Sequence, residues 1–161
     1  MRKLIGRGAF SKAYQIGLNE VELISSCPSK ECYAMFAQGN PLCPVIEKKD
    51  FDSYKMPLYP KVRSIKQLND NGQLIYKELS KLSGNCDDLY DFLKKVDCLA
   101  IDDDQKEQIK ELAEIVCNAI DPINLRFEIS RRNITHNPDG SIVLLDCFFC
   151  IKTLINTRKQ R

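Results

Sequence analysis

Apolar and polar residues alternate over much of the chain between Arg2 and Leu58, a pattern that predicts β-strands with one buried face. The alternation is clear between Glu20 and Ser25, where Val21 and Leu23 are separated by a glutamate. Strands are expected in five segments: residues 2–6, 12–18, 20–25, 45–47 and 51–58. Together these segments predict a small antiparallel sheet.

One helix is expected inside this sheet region, over residues 28–38. Pro28 and Ser29 suit the first turn of a helix, and Gly39 follows its predicted end. The apolar residues of the segment have helical spacing: Cys32, Met35 and Phe36. The segment is therefore expected to be a short amphipathic helix.

From Ser64 onward the hydrophobic period changes from two residues to about 3.6, which predicts helices. Three helices are expected, over residues 74–82, 89–96 and 108–120. The negative charges of Asp102–Asp104 suit the N-terminus of the third helix. An N-terminal region of antiparallel strands with one helix between them, followed by three further helices, predicts the α+β class.

A tight turn is predicted at residues 137–140, Asn-Pro-Asp-Gly, because proline presets φ and glycine accepts a positive φ. Strands over residues 133–135 and 141–145 would flank the turn as a hairpin and bring Asn133 close to Asp146. Mg²⁺ binds few protein oxygens and completes its octahedron with water and phosphate. These two side chains therefore predict a magnesium site when a nucleotide is present.

A glycine-rich turn is predicted near the N-terminus, between the first two expected strands. Gly6 and Gly8 allow the backbone to approach phosphate oxygens closely, and Phe10 and Ser11 follow them in the same turn. We refer to residues 6–11 as the glycine turn. It is a second candidate binding feature.

The second half of the chain resembles the catalytic segment of protein kinases, which reads H-R-D-x-x-x-x-N and is followed by D-F-G. The corresponding segments here are Arg126–Glu128, Asn133 and Asp146–Phe148. The N-terminal pattern Gly-x-Gly-x-Phe-Ser-x-x-Tyr is similar to the phosphate loop of the early serine/threonine kinases of lytic bacteriophages. The resemblance implies one minimal kinase-like domain over residues 1–161. Its parts would be an N-lobe to about residue 58, a hinge over about 55–62, and a reduced helical C-lobe from about 63 that contains the catalytic-loop hairpin.

The resemblance also implies a role for each matching residue. Glu128 takes the position of the catalytic base, while Asn133 and Asp146 take those of the Mg²⁺ ligands. The residues expected to bind ATP are Gly6, Gly8, Phe10, Ser11 and, in the hinge strand, Met56. The chain departs from the kinase motifs in three places: the base position holds a glutamate, Phe148 replaces the glycine of D-F-G, and Ser11 replaces the third glycine of the phosphate loop.

The lysine that kinases place in the third strand to hold the phosphates is absent. Its position falls near Leu23 if the strand is residues 21–24, or at Phe36 if the strand is residues 33–36. Lys30 or Lys12 could substitute, but both are expected to be ordinary surface lysines.

The composition is that of an ordinary globular protein, with 43% hydrophobic residues and a net charge of +2, so nucleic acid is not indicated as a partner. No apolar run approaches the length of a membrane span, and we expect a cytoplasmic protein, in the host if it is of phage origin. The eight cysteines are then expected to be reduced. Zinc is not expected, because structural zinc sites pair two C-x-x-C motifs and only Cys147–Cys150 has that spacing.

Three functions are compatible with these residues. We favour a pseudokinase that binds a host cytosolic protein and retains weak, magnesium-dependent nucleotide binding. The first alternative is an active minimal serine/threonine kinase of phage type. The second is an unrelated small globular interaction protein whose motifs match by accident.

Overall fold

The computed structural model describes residues 2–159, so Met1, Gln160 and Arg161 of the predicted domain lie outside the described residues. The N-terminal third contains β1 (Lys3–Arg7), β2 (Ser11–Gln15), β3 (Glu20–Ser25), β4 (Glu47–Lys48) and β5 (Ser53–Pro57). These strands form one antiparallel sheet in the order β1-β2-β3-β5-β4. The sheet confirms the expected strands, although β2, β4 and β5 are shorter than the segments that the sequence predicted, and β4 shares only Glu47 with its predicted segment.

The central strand β3 follows the expected alternation. Val21, Leu23 and Ser25 are buried, whereas the residues between them are only half-buried. Leu23 lies opposite Ala13 of β2 and Tyr54 of β5. One face of the sheet therefore packs against the core.

Helix α1 (Pro28–Phe36) lies between β3 and β4 and confirms the predicted helix. Pro28 occupies the first turn, where a missing backbone N–H costs nothing. Residues 33–36 are helical, so the register that placed the third-strand lysine at Phe36 is wrong. The predicted apolar face is wrong in part, because Cys32 is buried together with Tyr33, whereas Met35 and Phe36 are exposed.

Three helices follow the sheet: α2 (Asp70–Ser80), α3 (Leu89–Asp97) and α4 (Asp103–Val116). Helix α4 begins five residues before the start that the sequence predicted at Gln108. The cause is a capping box, in which Asp102 accepts from the backbone N–H of Gln105 and the Gln105 side chain accepts from the backbone N–H of Asp102. Among the helices in the described part of the chain, none is both long and apolar enough to span a membrane.

The C-terminal part has four short strands and a helix: β6 (Leu125–Phe127), β7 (Ile134–His136), β8 (Ile142–Leu144), β9 (Phe148–Cys150) and α5 (Ile151–Lys159). Strands β7 and β8 form the predicted hairpin. Gly140 closes it with a φ of +83°, as the turn sequence indicated. The pairing of β6 with β9 was not predicted.

Three aromatic rings anchor the region on either side of this pairing. The ring centroid of Phe92 lies 4.9 Å from that of Phe127 and 5.3 Å from that of Phe148, and the centroids of Phe127 and Phe148 are 5.2 Å apart. All three residues belong to a buried apolar cluster that extends from Leu23 in the sheet to Phe148. These findings confirm the α+β class; the kinase-like arrangement and the hinge remain predictions.

Candidate functional site

The hairpin brings Asn133 and Asp146 together through their backbones. The carbonyl oxygen of Asn133 accepts hydrogen bonds from the backbone N–H groups of Leu145 and Asp146, at 2.9 and 3.2 Å. The Cys147 thiol lies 3.5 Å from the same oxygen. The predicted metal ligands therefore lie on adjoining segments.

The side chain of Asn133 closes the loop that precedes it. Its Oδ1 accepts from the backbone N–H of Ser130 at 2.6 Å, and its Nδ2 donates to the carbonyl oxygen of Glu128 at 2.9 Å. Such local bonds hold a loop in the way that a backbone turn does. Both polar groups of this amide are thus engaged within the chain.

The carboxylate of Asp146 is paired with a lysine. Lys30 Nζ lies 2.9 Å from Asp146 Oδ1 and also donates to the carbonyl oxygen of Leu145. Lys30 belongs to α1 and is only 4% exposed. The expectation that it is an ordinary surface lysine is wrong. Lys30, Asn133 and Asp146 together are called the Asp146 corner below.

A signal for the burial of Lys30 exists in the sequence. Lys30, Tyr33 and Ala37 are spaced by three and four residues, so they lie on one stripe of the helix and its C-terminal end. Tyr33 and Ala37 are both buried. A charged residue on an apolar stripe requires a counter-charge, and Asp146 supplies it.

The surroundings of Lys30 favour its charged form. Burial is the largest single effect on the pKa of Lys30 and lowers it. The charge and hydrogen bond of Asp146, together with the neighbouring Cys27 and Cys147, outweigh burial, so the pKa lies above its ordinary value. Lys30 Nζ also lies 5.6 Å from the ring centroid of Tyr33, within the range of a cation–π contact. Burial raises the pKa values of the neighbouring Cys27 and Cys147 thiols, which keeps them protonated. Lys30 and Asp146 therefore form the charged pair of this pocket.

The Asp146 corner does not fit Mg²⁺ as it stands. Asp146 Oδ1 contacts the Lys30 ammonium, and Asn133 Oδ1 accepts from a backbone N–H group. The Asp146 side chain as a whole is 38% exposed, so its second oxygen is the one that faces solvent. Of the predicted pair of ligands, only the second carboxylate oxygen of Asp146 is therefore available to a metal ion.

Glu128, the predicted base, lies at the start of the same loop. Its backbone N–H donates to the carbonyl oxygen of Cys147 at 2.9 Å, next to the β6–β9 pairing, and its side chain is exposed. Phe127 before it is buried in the aromatic cluster. The fold thus holds the backbone of Glu128 in place and leaves its carboxylate accessible.

The glycine turn joins β1 and β2 and packs on the end of β3. Gly8 N–H donates to the carbonyl oxygen of Ser11 at 2.8 Å, and the carbonyl oxygen of Phe10 accepts from Ser26 N–H at 3.1 Å. Gly6 and Gly8 both have negative φ, and a Cβ atom on Gly6 would lie 3.6 Å from that of Ala13, an ordinary contact. The fold itself requires a glycine at neither position.

A chain of hydrogen bonds connects the glycine turn with the start of α1. The hydroxyls of Ser11 and Ser25 lie 2.7 Å apart, and Ser25 Oγ accepts from the backbone N–H of Cys27 at 3.2 Å. Cys27 is the N-cap residue of the helix that carries Lys30. The two predicted halves of the site therefore meet at the N-terminus of α1.

The remaining predicted residues lie in the sheet. Met56 is half-buried on β5 opposite Val21 and packs against the core. Leu23 is buried, and Lys12 is exposed as expected. An open cleft of about 570 Å³ lies between residues 3–5 of β1 and residues 58–61, and is lined mainly by apolar side chains with a lysine at each end.

The eight cysteines are all free thiols in the structure. Within residues 2–159, no group of three or more histidine, cysteine, aspartate or glutamate side chains is arranged to hold a metal ion. No protein-family model matches this chain, and no curated protein sequence matches it either.

Proposed function

We propose that this chain is a kinase-like protein without phosphotransfer activity, which acts by binding another protein. The observation that carries the proposal is the contact of 2.9 Å between Lys30 Nζ and Asp146 Oδ1. Phosphoryl transfer depends on metal ions that neutralise charge on the phosphates, and Asp146 is the residue on which that role would depend. Its pairing with a buried lysine supports a structural role instead.

Weak nucleotide binding is part of the proposal. The glycine turn has no side chain at Gly6 or Gly8 to keep a phosphate away from its backbone. The cleft beside β1 offers an apolar surface of a size that suits a small ligand. The hinge segment supplies few backbone donors, because Pro57 and Pro60 have none and Leu58 N–H already donates to the carbonyl oxygen of Asn19. This shortage supports low affinity.

The resemblance to early kinases of lytic bacteriophages motivates a host cytosolic protein as the partner. We place the contact at the end of α1, where Met35 and Phe36 are each 60% exposed. Adjacent exposed large apolar side chains are typical of protein-binding surfaces. The N-terminal half of the same helix carries Lys30, so partner binding and the Asp146 corner share one element.

Capture from a bacterial lysate tests the binding function. Immobilised protein is expected to retain a partner at saturable levels, with or without ATP and Mg²⁺. Replacing both Met35 and Phe36 with serine should abolish retention, whereas Ile123→Ser, at a site 58% exposed elsewhere on the surface, should not. Equal retention by both variants would contradict the proposed surface.

An active minimal serine/threonine kinase remains the second candidate, because the Glu128 side chain is exposed and its backbone N–H is bonded to Cys147, the residue after Asp146. Labelled ATP, Mg²⁺ and lysate distinguish the two functions. We expect no labelled protein above a control without the chain. Label that appears with the wild type and disappears with Glu128→Ala would make the protein a kinase. Because the side chain of Glu128 is exposed, the Glu128→Ala variant is expected to fold like the wild type.

A further inference from the structure

We infer that the ammonium of Lys30 is a resident cation at Asp146, and that the Asp146 corner therefore binds no divalent metal ion. The sequence alone predicts the opposite, since Asn133 and Asp146 have the spacing of a magnesium pair. The structure places a third residue, from a helix more than a hundred positions earlier, at the oxygen that the metal would use.

The geometry of the lysine resembles that of a bound ion more than that of a surface ion pair. Lys30 Nζ contacts two oxygens, Asp146 Oδ1 and the carbonyl oxygen of Leu145, and the Lys30 side chain is only 5% exposed. The exposed pair of Lys48 and Glu31 shows the contrast, because both of its side chains are at least 31% exposed. Burial on this scale fixes the ammonium beside the carboxylate.

The charge balance of the corner excludes a second cation. The Lys30 ammonium and the Asp146 carboxylate sum to zero, so a divalent ion at the remaining carboxylate oxygen would leave an uncompensated double charge beside a buried ammonium. Asn133 is neutral and cannot compensate the charge, and its Oδ1, the atom that would bind a metal ion, already accepts from Ser130 N–H at 2.6 Å. Mg²⁺ also requires near-ideal octahedral geometry and gives up its waters reluctantly.

The lysine at Asp146 would also change how a nucleotide binds, a consequence that rests on the proposed function. A nucleotide held at the glycine turn would bind as the free anion, without a metal bridge to Asp146. Its affinity would then be the same in the presence of Mg²⁺ or a chelator, once the fraction of nucleotide bound to Mg²⁺ in solution is taken into account. This replaces the magnesium dependence that the sequence predicts.

The metal itself provides the direct test, and it needs no nucleotide or partner. Mn²⁺ is a suitable probe, because it prefers the same oxygen ligands as Mg²⁺ and its free form is measured by electron paramagnetic resonance. The wild-type chain should show no saturable Mn²⁺ binding. Lys30→Met should show saturable Mn²⁺ binding, at least about tenfold tighter than any residual association with the wild type. Removing a unit positive charge a few ångströms from the site lowers the repulsion of Mn²⁺ by more than the free energy that corresponds to a tenfold change in affinity.

Two control variants locate the effect. Lys30→Met combined with Asp146→Asn should lose the new binding. Lys48→Met, which removes a half-buried lysine that pairs with Glu31 of α1, should behave like the wild type. A folded Lys30→Met chain that gains no Mn²⁺ binding would overturn the role of the lysine.

The wild-type spectrum decides the matter even if Lys30→Met does not fold. Mn²⁺ broadens the amide signals of residues near its site, so the ¹H–¹⁵N spectrum should show no selective broadening at Leu145 and Cys147. Selective broadening there would overturn the inference whatever the outcome of the nucleotide and partner experiments. Absence of nucleotide or partner binding would contradict the proposed function alone.

Discussion

The glycine turn and the Asp146 corner both match kinase motifs, but the structure treats them differently. The tip of the glycine turn, residues 7–9, is exposed, and its two glycines have ordinary backbone angles with room for a Cβ atom at each. In the Asp146 corner, Lys30 is buried, both polar groups of Asn133 are bonded within the chain, and Asp146 is paired.

The difference separates residues that the fold needs from residues that it does not. Folding alone explains Asn133, Asp146 and Lys30, because the amide of Asn133 is bonded within the chain and the carboxylate of Asp146 balances the charge of the buried Lys30. Folding does not explain Gly6 and Gly8. Evidence for a bound ligand should therefore be sought at the glycine turn, and evidence for a structural role at the Asp146 corner.

The largest effect is expected from Asp146→Ala. This change leaves the ammonium of Lys30 buried without a counter-charge, and we expect a loss of about 3–5 kcal/mol in the free energy of unfolding. Lys30→Met should cost less, about 1–2 kcal/mol, because one oxygen of Asp146 faces solvent. Urea denaturation of both variants measures the difference.

The order of these two losses is the informative result. Lys48→Met serves as the control and should change stability by no more than about 1 kcal/mol, as is usual for an exposed ion pair. Equal and small losses for all three variants would mean that the Lys30–Asp146 pair is no more structural than a surface contact.

Gly140→Ala is expected to follow, with a loss of about 1–3 kcal/mol. Gly140 has a φ of +83°, and a Cβ atom there would lie 2.8 Å from the backbone nitrogen of Asn69. Thermal unfolding is a sufficient measurement. A neutral result would show that the hairpin beside the Asp146 corner adjusts more freely than its contacts indicate.

Asn133→Ala should cost about 1–2 kcal/mol, because it removes hydrogen bonds to the backbone groups of Ser130 and Glu128. Asn118→Ala removes one exposed bond to a backbone carbonyl and should cost less. Chemical denaturation compares the two. Equal losses in the free energy of unfolding would mean that the amide of Asn133 stabilises the fold no more than an exposed surface amide does.

The smallest effect on stability is expected from Gly6→Ala. The added Cβ atom meets Ala13 Cβ at 3.6 Å, so the free energy of unfolding should change by no more than about 0.5 kcal/mol. Nucleotide binding, measured by calorimetry with ADP, should nevertheless weaken, because a Cβ atom hinders the approach of phosphate to the backbone. A variant that binds ADP like the wild type would remove the glycine turn from the site.

Local patterns in the sequence predicted much of the fold. The strand at residues 20–25 and the helix from Pro28 are determined by alternation, by proline in the first turn and by helical spacing, all of which act over a few residues. The hairpin at Gly140 follows from turn chemistry in the same way. These signals do not depend on distant parts of the chain.

Contacts between residues that are far apart in the sequence could not be predicted from such local patterns. Strands β6 and β9 contain three residues each, which is too short for a period to be visible, and their pairing depends on the aromatic cluster. The contact of Lys30 with residues 145 and 146 spans more than a hundred positions. The position of Lys30 on an apolar stripe indicated burial, but only the tertiary structure identifies its partner.

A crystal structure of the wild-type chain grown with ADP and Mn²⁺ would show whether a lysine or a metal ion occupies the site at Asp146, because anomalous scattering locates the metal. We expect Lys30 Nζ to stay within hydrogen-bond distance of Asp146 and no anomalous peak to lie at the carboxylate. A Mn²⁺ ion bonded to Asp146 and Asn133, with Lys30 displaced from the pocket, would contradict it.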